Sequence, residues 1–186
     1  VRDGEIMFGL NMVVHKGKTI FVGDTSVHEY PTSEQMAEIA ISTARVVRLF
    51  GFEPKVAFVS HSTFGQPLTS RTKHIRKAVD ILKEQKVDFE FDGDMQPDVA
   101  LNSEYEELYP FSNIVGKANI LIMPGQHSAA ISYKMMKTLG DTKVIGPLLI
   151  GLGLPVEIAP LRSSTSELIN LASIAAYSAD IIDYKK

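Results

Sequence analysis

Three stretches of the 186-residue chain gather groups able to hold an anion or move a proton. The first is Ser60-His61-Ser62-Thr63, followed by Arg71, Lys73, His74, Arg76 and Lys77. Hydroxyls and free backbone N–H groups at a strand end, backed by cations, suit phosphate or pyrophosphate. The plain alternative is a shaped loop beside a solvated helix face, and it is stronger for Lys73 and Lys77 than for Arg71. The second stretch is Asp92-Gly93-Asp94-Met95-Gln96-Pro97-Asp98. Its carboxylates lack the ligand count and terminal Glu of a calcium loop and have no His partner, so no metal is assigned. A turn and helix start capped by Asp is the default, with Asp92 and Gln96 positioning a ligand hydroxyl or amine as the functional alternative. The third is Arg162-Ser163-Ser164-Thr165-Ser166-Glu167. Arg162, Ser163 and Ser164 at a helix N-terminus favour an anion, and Glu167 is a general-base candidate if burial raises its pKa; an over-provided helix cap explains the same residues. His127 stands at another strand end, where a lone His is more often structural than catalytic. His15 and His28 read as surface-loop residues. No glycine-rich phosphate loop or esterase signature is present.

These groups need elements to position them, and short apolar runs alternate with amphipathic stretches in the manner of a largely parallel sheet flanked by helices. Met12–Val14 and Thr19–Val22 fit a hairpin around His15-Lys16-Gly17-Lys18. Pro31-Thr32-Ser33-Glu34-Gln35 marks a helix start, with Thr32 and Gln35 able to cap each other's backbone N–H groups, and Gly51 ends that helix. Lys55–Ser60 is a compact strand leading to a helix from about Thr69 or Ser70. Asp88–Phe91 reads as a short strand, Asp98–Leu108 as a helix and Ala118–Met123 as a buried strand followed by a helix to Leu139. Val144–Leu152 and Val156–Ile158 complete the strands, interrupted at Gly146-Pro147, where a central ladder would lose a donor. The last helix, Leu168–Ile182, is apolar or small on nearly every side and must be covered on more than one. Residues 1–159 are therefore read as an α/β domain, and 160–186 as a C-terminal helix packed on that domain, on a missing segment or on a second chain.

Composition narrows the function. Apolar residues make up 45% and charged residues 22%, enough for a real core. Nineteen Lys plus Arg against twenty-two Asp plus Glu give a formal charge of -3, which argues against nucleic acid as a partner. The absence of cysteine excludes disulfides, thiolate nucleophiles and Cys-ligated metal, and fits a cytoplasmic location. No apolar run reaches the length of a membrane span. Val1 in place of Met suggests a piece of a longer polypeptide.

Several motifs in a fixed order resemble the phosphate acetyltransferase/butyryltransferase family: Asp24-Thr25-Ser26-Val27, Pro31 to Ala40, Ser60-His61-Ser62-Thr63, Asp92 to Leu101, Ser132-Tyr133-Lys134 and Ile145 to Leu152. Leu108-Tyr109-Pro110-Phe111-Ser112 is more similar to the version of that domain fused to the C-terminal end of large bacterial NADP-dependent malic enzymes. The resemblance implies a layered α/β/α fold with a mostly parallel sheet, of isocitrate/isopropylmalate dehydrogenase-like architecture, present as a fragment of a two-domain unit. It implies acetyl-CoA or CoA, or another phosphate-bearing small molecule, as ligand, and a homo-oligomer. NADP and a divalent metal would belong to a malic enzyme part outside this chain.

Active members of the family carry a Ser-Arg-Gly run before the last helix and an acidic residue six positions after the Arg, assigned to thiol activation and phosphate binding. Pro160-Leu161-Arg162 stands in that register here, with Glu167 at the acidic position. The serine is gone, and Arg162 replaces the arginine only by a one-residue shift. A further family arginine falls at Thr138, beside Lys137. The resemblance thus implies a weakened phosphate clamp and an acetyl-CoA-sensing module of a malic enzyme; the alternative is a working phosphate acetyltransferase using Arg162 and Glu167.

Overall fold

The computed structural model describes residues 5–183. Val1, which prompted the expectation of a longer polypeptide, and the last three residues of the 160–186 segment lie outside them.

The elements follow in the order β1 (Phe8–His15), β2 (Lys18–Gly23), α1 (Ser33–Leu49), β3 (Lys55–Val59), α2 (Ser70–Gln85), β4 (Glu90–Met95), α3 (Pro97–Leu101), a single 3-10 turn (Ser103–Tyr105), β5 (Ile120–Ile122), α4 (Gln126–Leu139), β6 (Thr142–Ile150), β7 (Val156–Glu157) and α5 (Thr165–Asp183). The seven strands form one sheet in the order β4-β3-β5-β2-β1-β6-β7. The α/β class expected from the alternation is present. The sheet is mixed: β4, β3, β5 and β2 run parallel, while the β1–β2 hairpin makes the β1, β6 and β7 pairings antiparallel.

Side chains alternate across the sheet, as the two-residue strand period demands. Phe21, Val56, Phe58, Ile120, Ile122 and Leu148 point to one face, under α1, α2 and Leu171 of α5. Val22, Ala57, Val59, Leu121 and Val144 point to the other, against Ala100 of α3 and Ala129 of α4. The result is a three-layer α/β/α domain.

The expected helix starts are realised. Thr32 Oγ1 accepts from Gln35 N–H at 3.1 Å while Gln35 Oε1 accepts from Thr32 N–H at 2.8 Å. Thr69 and Thr72 form the same reciprocal pair at the start of α2.

Three expectations need correction. The strand placed at Asp88–Phe91 runs instead from Glu90 to Met95, because the Asp92 and Asp94 side chains find buried partners and no longer oppose a strand. The helix placed at Asp98–Leu108 stops at Leu101, where the Asn102 side chain accepts from Glu104 N–H at 3.2 Å and starts the 3-10 turn instead. The break at Gly146-Pro147 does not interrupt β6: Leu10 pairs with Leu148 and Met12 with Ile145, so the missing donor falls in a bulge opposite Asn11.

Candidate functional site

Parallel strands of one sheet deliver their following loops to a common edge, which is where α/β domains hold ligands. Here β3 delivers Ser60–Thr69, β4 delivers Gln96, β5 delivers Pro124–Gly125 and β2 delivers Asp24–Pro31. Contacts between the loops join them into one rim.

Asp94, fully buried near the end of β4, is the hub of the first half. Its carboxylate accepts from the Ser62 hydroxyl and from Gly65 N–H at 3.0 Å, and its carbonyl accepts from Phe64 N–H at 2.6 Å. Gln96 N–H donates to Thr63 Oγ1 at 3.2 Å, and Gln96 Nε2 donates to the His61 carbonyl at 3.1 Å. Ser60 Oγ lies 3.2 Å from Ser62 Oγ. Five sequence candidates (Ser60, His61, Ser62, Thr63 and Gln96) therefore sit in one hydrogen-bonded cluster. Gly93 permits it: a Cβ there would lie 2.7 Å from Phe58 Cβ, and its φ of +156° disfavours any side chain.

Asp24 organises the second half. Buried at the end of β2, it accepts from Val27 N–H at 3.0 Å, His28 N–H at 2.8 Å and the His28 ring at 2.5 Å. His28 is thus a partly buried structural partner, not a free surface residue. His15 closes β1 rather than lying in a loop, with Nδ1 3.0 Å from Thr142 Oγ1. Gln126 N–H donates to the His28 carbonyl at 3.1 Å, and a Cβ on Gly125 would run into the Glu29 carbonyl oxygen, so this loop crossing needs glycine.

The halves meet at the start of α2. Arg71 lies over the Tyr30 ring at 5.3 Å, and His74 Nε2 donates to the Pro31 carbonyl at 2.8 Å. His127 Nε2 approaches Glu29 Oε1 at 3.3 Å, on the solvent side. The rim thus presents the exposed His61, one stacked guanidinium and an exposed His–Glu pair, while the Ser60, Ser62 and Thr63 hydroxyls are buried beneath it in the Asp94 cluster.

Other candidates lie elsewhere. Asp92 accepts from Asn113 N–H at 2.7 Å and from its own strand neighbour Gly93 N–H at 2.9 Å, which ties the loop after α3 to β4. Ser164 caps α5 in a reciprocal pair with Glu167: Ser164 N–H donates to Glu167 Oε2 at 2.7 Å and Ser164 Oγ accepts from Glu167 N–H at 3.3 Å. Lys137 of α4 donates to Glu167 Oε1 at 2.8 Å. Lys137, Ser163, Glu167, Tyr133 and Gly146 line a small cleft of about 60 Å³. Arg162 is exposed and pairs with no carboxylate among the described residues. Lys137 lies ten residues along α4 from His127, about 15 Å of helix rise. No hydrogen bond or ion pair among the described residues joins the α5 start to the rim.

The condition for Glu167 as a base is not met. The Lys137 ammonium, with the Ser164 backbone and hydroxyl donors, holds its carboxyl down to about 2. A carboxylate so acidic is a weak proton acceptor near neutrality.

Sequence reasoning missed Asp94, Asp24 and Tyr30 as site-forming residues. The signal for Asp94 was present in Phe89-Glu90-Phe91-Asp92-Gly93-Asp94-Met95: carboxylates inside a strand pattern require buried donors. Tyr30 carried none, because its partner is distant in sequence.

An α/β/α sandwich with a loop rim at its parallel strand ends is the architecture of solved phosphotransacetylases. The family described as "Phosphate acetyl/butaryl transferase" matches residues 2–176, and the chain belongs to it. It is 47% identical to an NADP-dependent malic enzyme of Rhizobium meliloti over 178 residues, 96% of this chain and 23% of that protein. It is 34% identical to a phosphate acetyltransferase of Bacillus subtilis over 90% of this chain and 52% of that protein. A phosphotransacetylase from Streptococcus pyogenes superposes with a TM-score of 0.88 at 31% identity, covering 94% of this chain and 54% of that one. The chain thus spans about a quarter of its malic enzyme relatives and about half of the transferases. No helix among the described residues is long and apolar enough to cross a membrane.

Proposed function

We propose that this chain is the phosphotransacetylase-like domain of a multidomain NADP-dependent malic enzyme, where it binds acetyl-CoA and sets the activity and assembly of the attached malate-oxidising subunits in the cytoplasm. The observation that carries the reading is coverage: a 47% identity over 96% of this chain accounts for only 23% of a malic enzyme. NADP and the divalent metal of malate oxidation would be held outside this chain; among the described residues no three His, Cys, Asp or Glu side chains group to hold a metal.

An acyl-CoA ligand is supported by the exposed Arg71 guanidinium, which suits phosphate oxygens, beside a loop that the buried Ser60, Ser62 and Thr63 hold in shape. Regulation then requires acetyl-CoA to bind two states of the assembly with different affinity.

The alternative is phosphate acetyl transfer. There the CoA sulfur attacks the carbonyl carbon of acetyl phosphate, the carbonyl C–O bond to phosphate breaks, and phosphate departs with the electron pair while the thiol proton goes to a base. Glu167, pinned as an anion by Lys137, is poorly suited to take that proton, and no hydrogen bond or ion pair among the described residues joins Arg162 to the rim.

The test uses the full-length polypeptide. Acetyl-CoA should bind and change malate oxidation, and Arg71→Ala should weaken that binding by about tenfold, as loss of one charge-assisted contact predicts. Incubation with CoA and acetyl phosphate should give no enzymatic acetyl-CoA. Robust formation would favour the transferase; no binding and no effect on malate oxidation would leave assembly alone.

A further inference from the structure

Between α1, the β6–β7 segment and α5 lies a pocket of about 160 Å³, lined by Val46, Leu49, Phe50, Leu148, Ile174 and Tyr177. None of the residues of the rim or the α5 start contributes to it. A cavity of about 150 Å³ is enough for benzene, so the space fits a body of six to ten heavy atoms.

The polar atoms of this pocket are unbalanced. Four of its polar contacts are made within the protein: Ser42 Oγ donates to Glu38 Oε1 at 3.2 Å, Arg45 donates to Glu5 at 3.2 Å and to Ser42 at 3.2 Å, and Tyr177 OH donates to the Leu49 carbonyl at 3.1 Å; the Ser178 hydroxyl also lines the space. One acceptor makes none. Glu157 Oε2 is buried with no hydrogen-bond partner among the described residues, and Glu157 forms part of the pocket wall. The charged groups facing the space are Glu5 and Glu157 against Arg45, two carboxylates for one guanidinium. Glu157 therefore lacks a donor and the wall carries an excess negative charge, so an anion such as an acyl-CoA phosphate is the wrong ligand for it.

We propose that this pocket is a second binding site, specific for a small primary amine carried on an apolar body, with the ammonium paired to Glu157 and the body packed between α1 and α5. Burial pushes the Glu157 carboxyl up to about 7, in keeping with a carboxylate kept from water with no counter-ion. The apolar walls supply affinity for the body, and the single acceptor fixes its orientation. The inference does not depend on the acetyl-CoA reading.

Benzylamine, benzyl alcohol and benzoate are matched probes for the full-length protein at pH 7.5. By calorimetry, benzylamine should bind about tenfold tighter than benzyl alcohol, and benzoate should not bind. Glu157→Gln keeps the shape and removes the charge; it should erase the preference for the amine over the alcohol. Amide resonances of Val46, Ile150 and Ile174 should shift on titration, and Ile174→Trp, which fills the space, should abolish the shifts. Equal affinity for amine and alcohol, an unaltered preference in Glu157→Gln, shifts confined to the rim, or no binding at all would each overturn the proposal. Amine binding to the 186-residue chain but not to the full polypeptide would also overturn it, because a segment of that polypeptide would then fill the pocket.

Discussion

At the residue scale, two buried or half-buried carboxylates behave in opposite ways because one has donors and the other has none. Asp94 accepts from Ser62 and Gly65 inside the rim. Replacing it by Ala leaves a buried hydroxyl and a buried N–H without an acceptor, each worth about 1–3 kcal/mol, so Asp94→Ala should destabilise the fold by about 2–6 kcal/mol. Denaturant melts of Asp94→Ala and Asp94→Asn check this, and the Asn form, which keeps an acceptor, should lose clearly less. Glu157 has no such support, and burial raises its carboxyl from 4.5 to about 7. An acid with a raised folded-state pKa holds its proton more tightly folded than unfolded, so stability falls as pH rises from about 4.5 to about 7 and stays lower above that. Glu157→Gln should remove this component: the variant should gain stability over the parent at pH 8 and show no gain at pH 4, read from denaturant midpoints at the two pH values. Glu167 runs the other way. Its carboxyl is lowered to about 2 by Lys137, so its contribution is present above the usual carboxylate range and lost as pH falls toward 2.

At the element scale, what the sequence made legible is what local chemistry decides. Thr32 with Gln35 announced the start of α1, because capping involves residues within one turn, and α2 starts at Ser70 as expected, with a Thr69–Thr72 cap that sequence reasoning missed. Thr32→Ala removes the acceptor for Gln35 N–H and should cost about 1 kcal/mol in a thermal or denaturant melt; a melt unchanged from the parent would mean that packing alone sets that helix end. The β1–β2 hairpin was legible for the same reason. What escaped depended on partners far along the chain: β4 tolerates Asp92 because Asn113 reaches it across 21 residues, and β6 passes through Pro147 because β1 offers a bulge. The rim cluster of Ser60 to Thr63 was found from residue type, yet its buried anchor Asp94 was not. The cluster at Arg162 was found as well, but its separation from the rim follows from α5 packing on β6 and β7, at the other end of the strand order, which no local pattern encodes.

At the scale of the whole molecule, α5 joins a mixed sheet to a largely apolar exterior. Leu171 enters the core under β6, while Leu168 and Ile169 remain 47% and 60% exposed, with Leu154, Ile158 and Leu161 exposed nearby. A helix with no polar face, anchored on one side only, retains apolar surface that association can bury. If a second copy covers it through a two-fold interface, each substitution acts twice. Four half-exposed leucine or isoleucine side chains then contribute roughly 3–6 kcal/mol, taking about half of the 1.5–3 kcal/mol for full burial of each. Leu168→Lys combined with Ile169→Lys should therefore raise the dissociation constant of the full-length assembly by 100-fold or more. Sedimentation equilibrium measures this directly. A smaller oligomer with an unchanged circular dichroism spectrum is the expected result, whereas an unchanged mass would place the cover for α5 within the same polypeptide and remove the helix from the assembly surface.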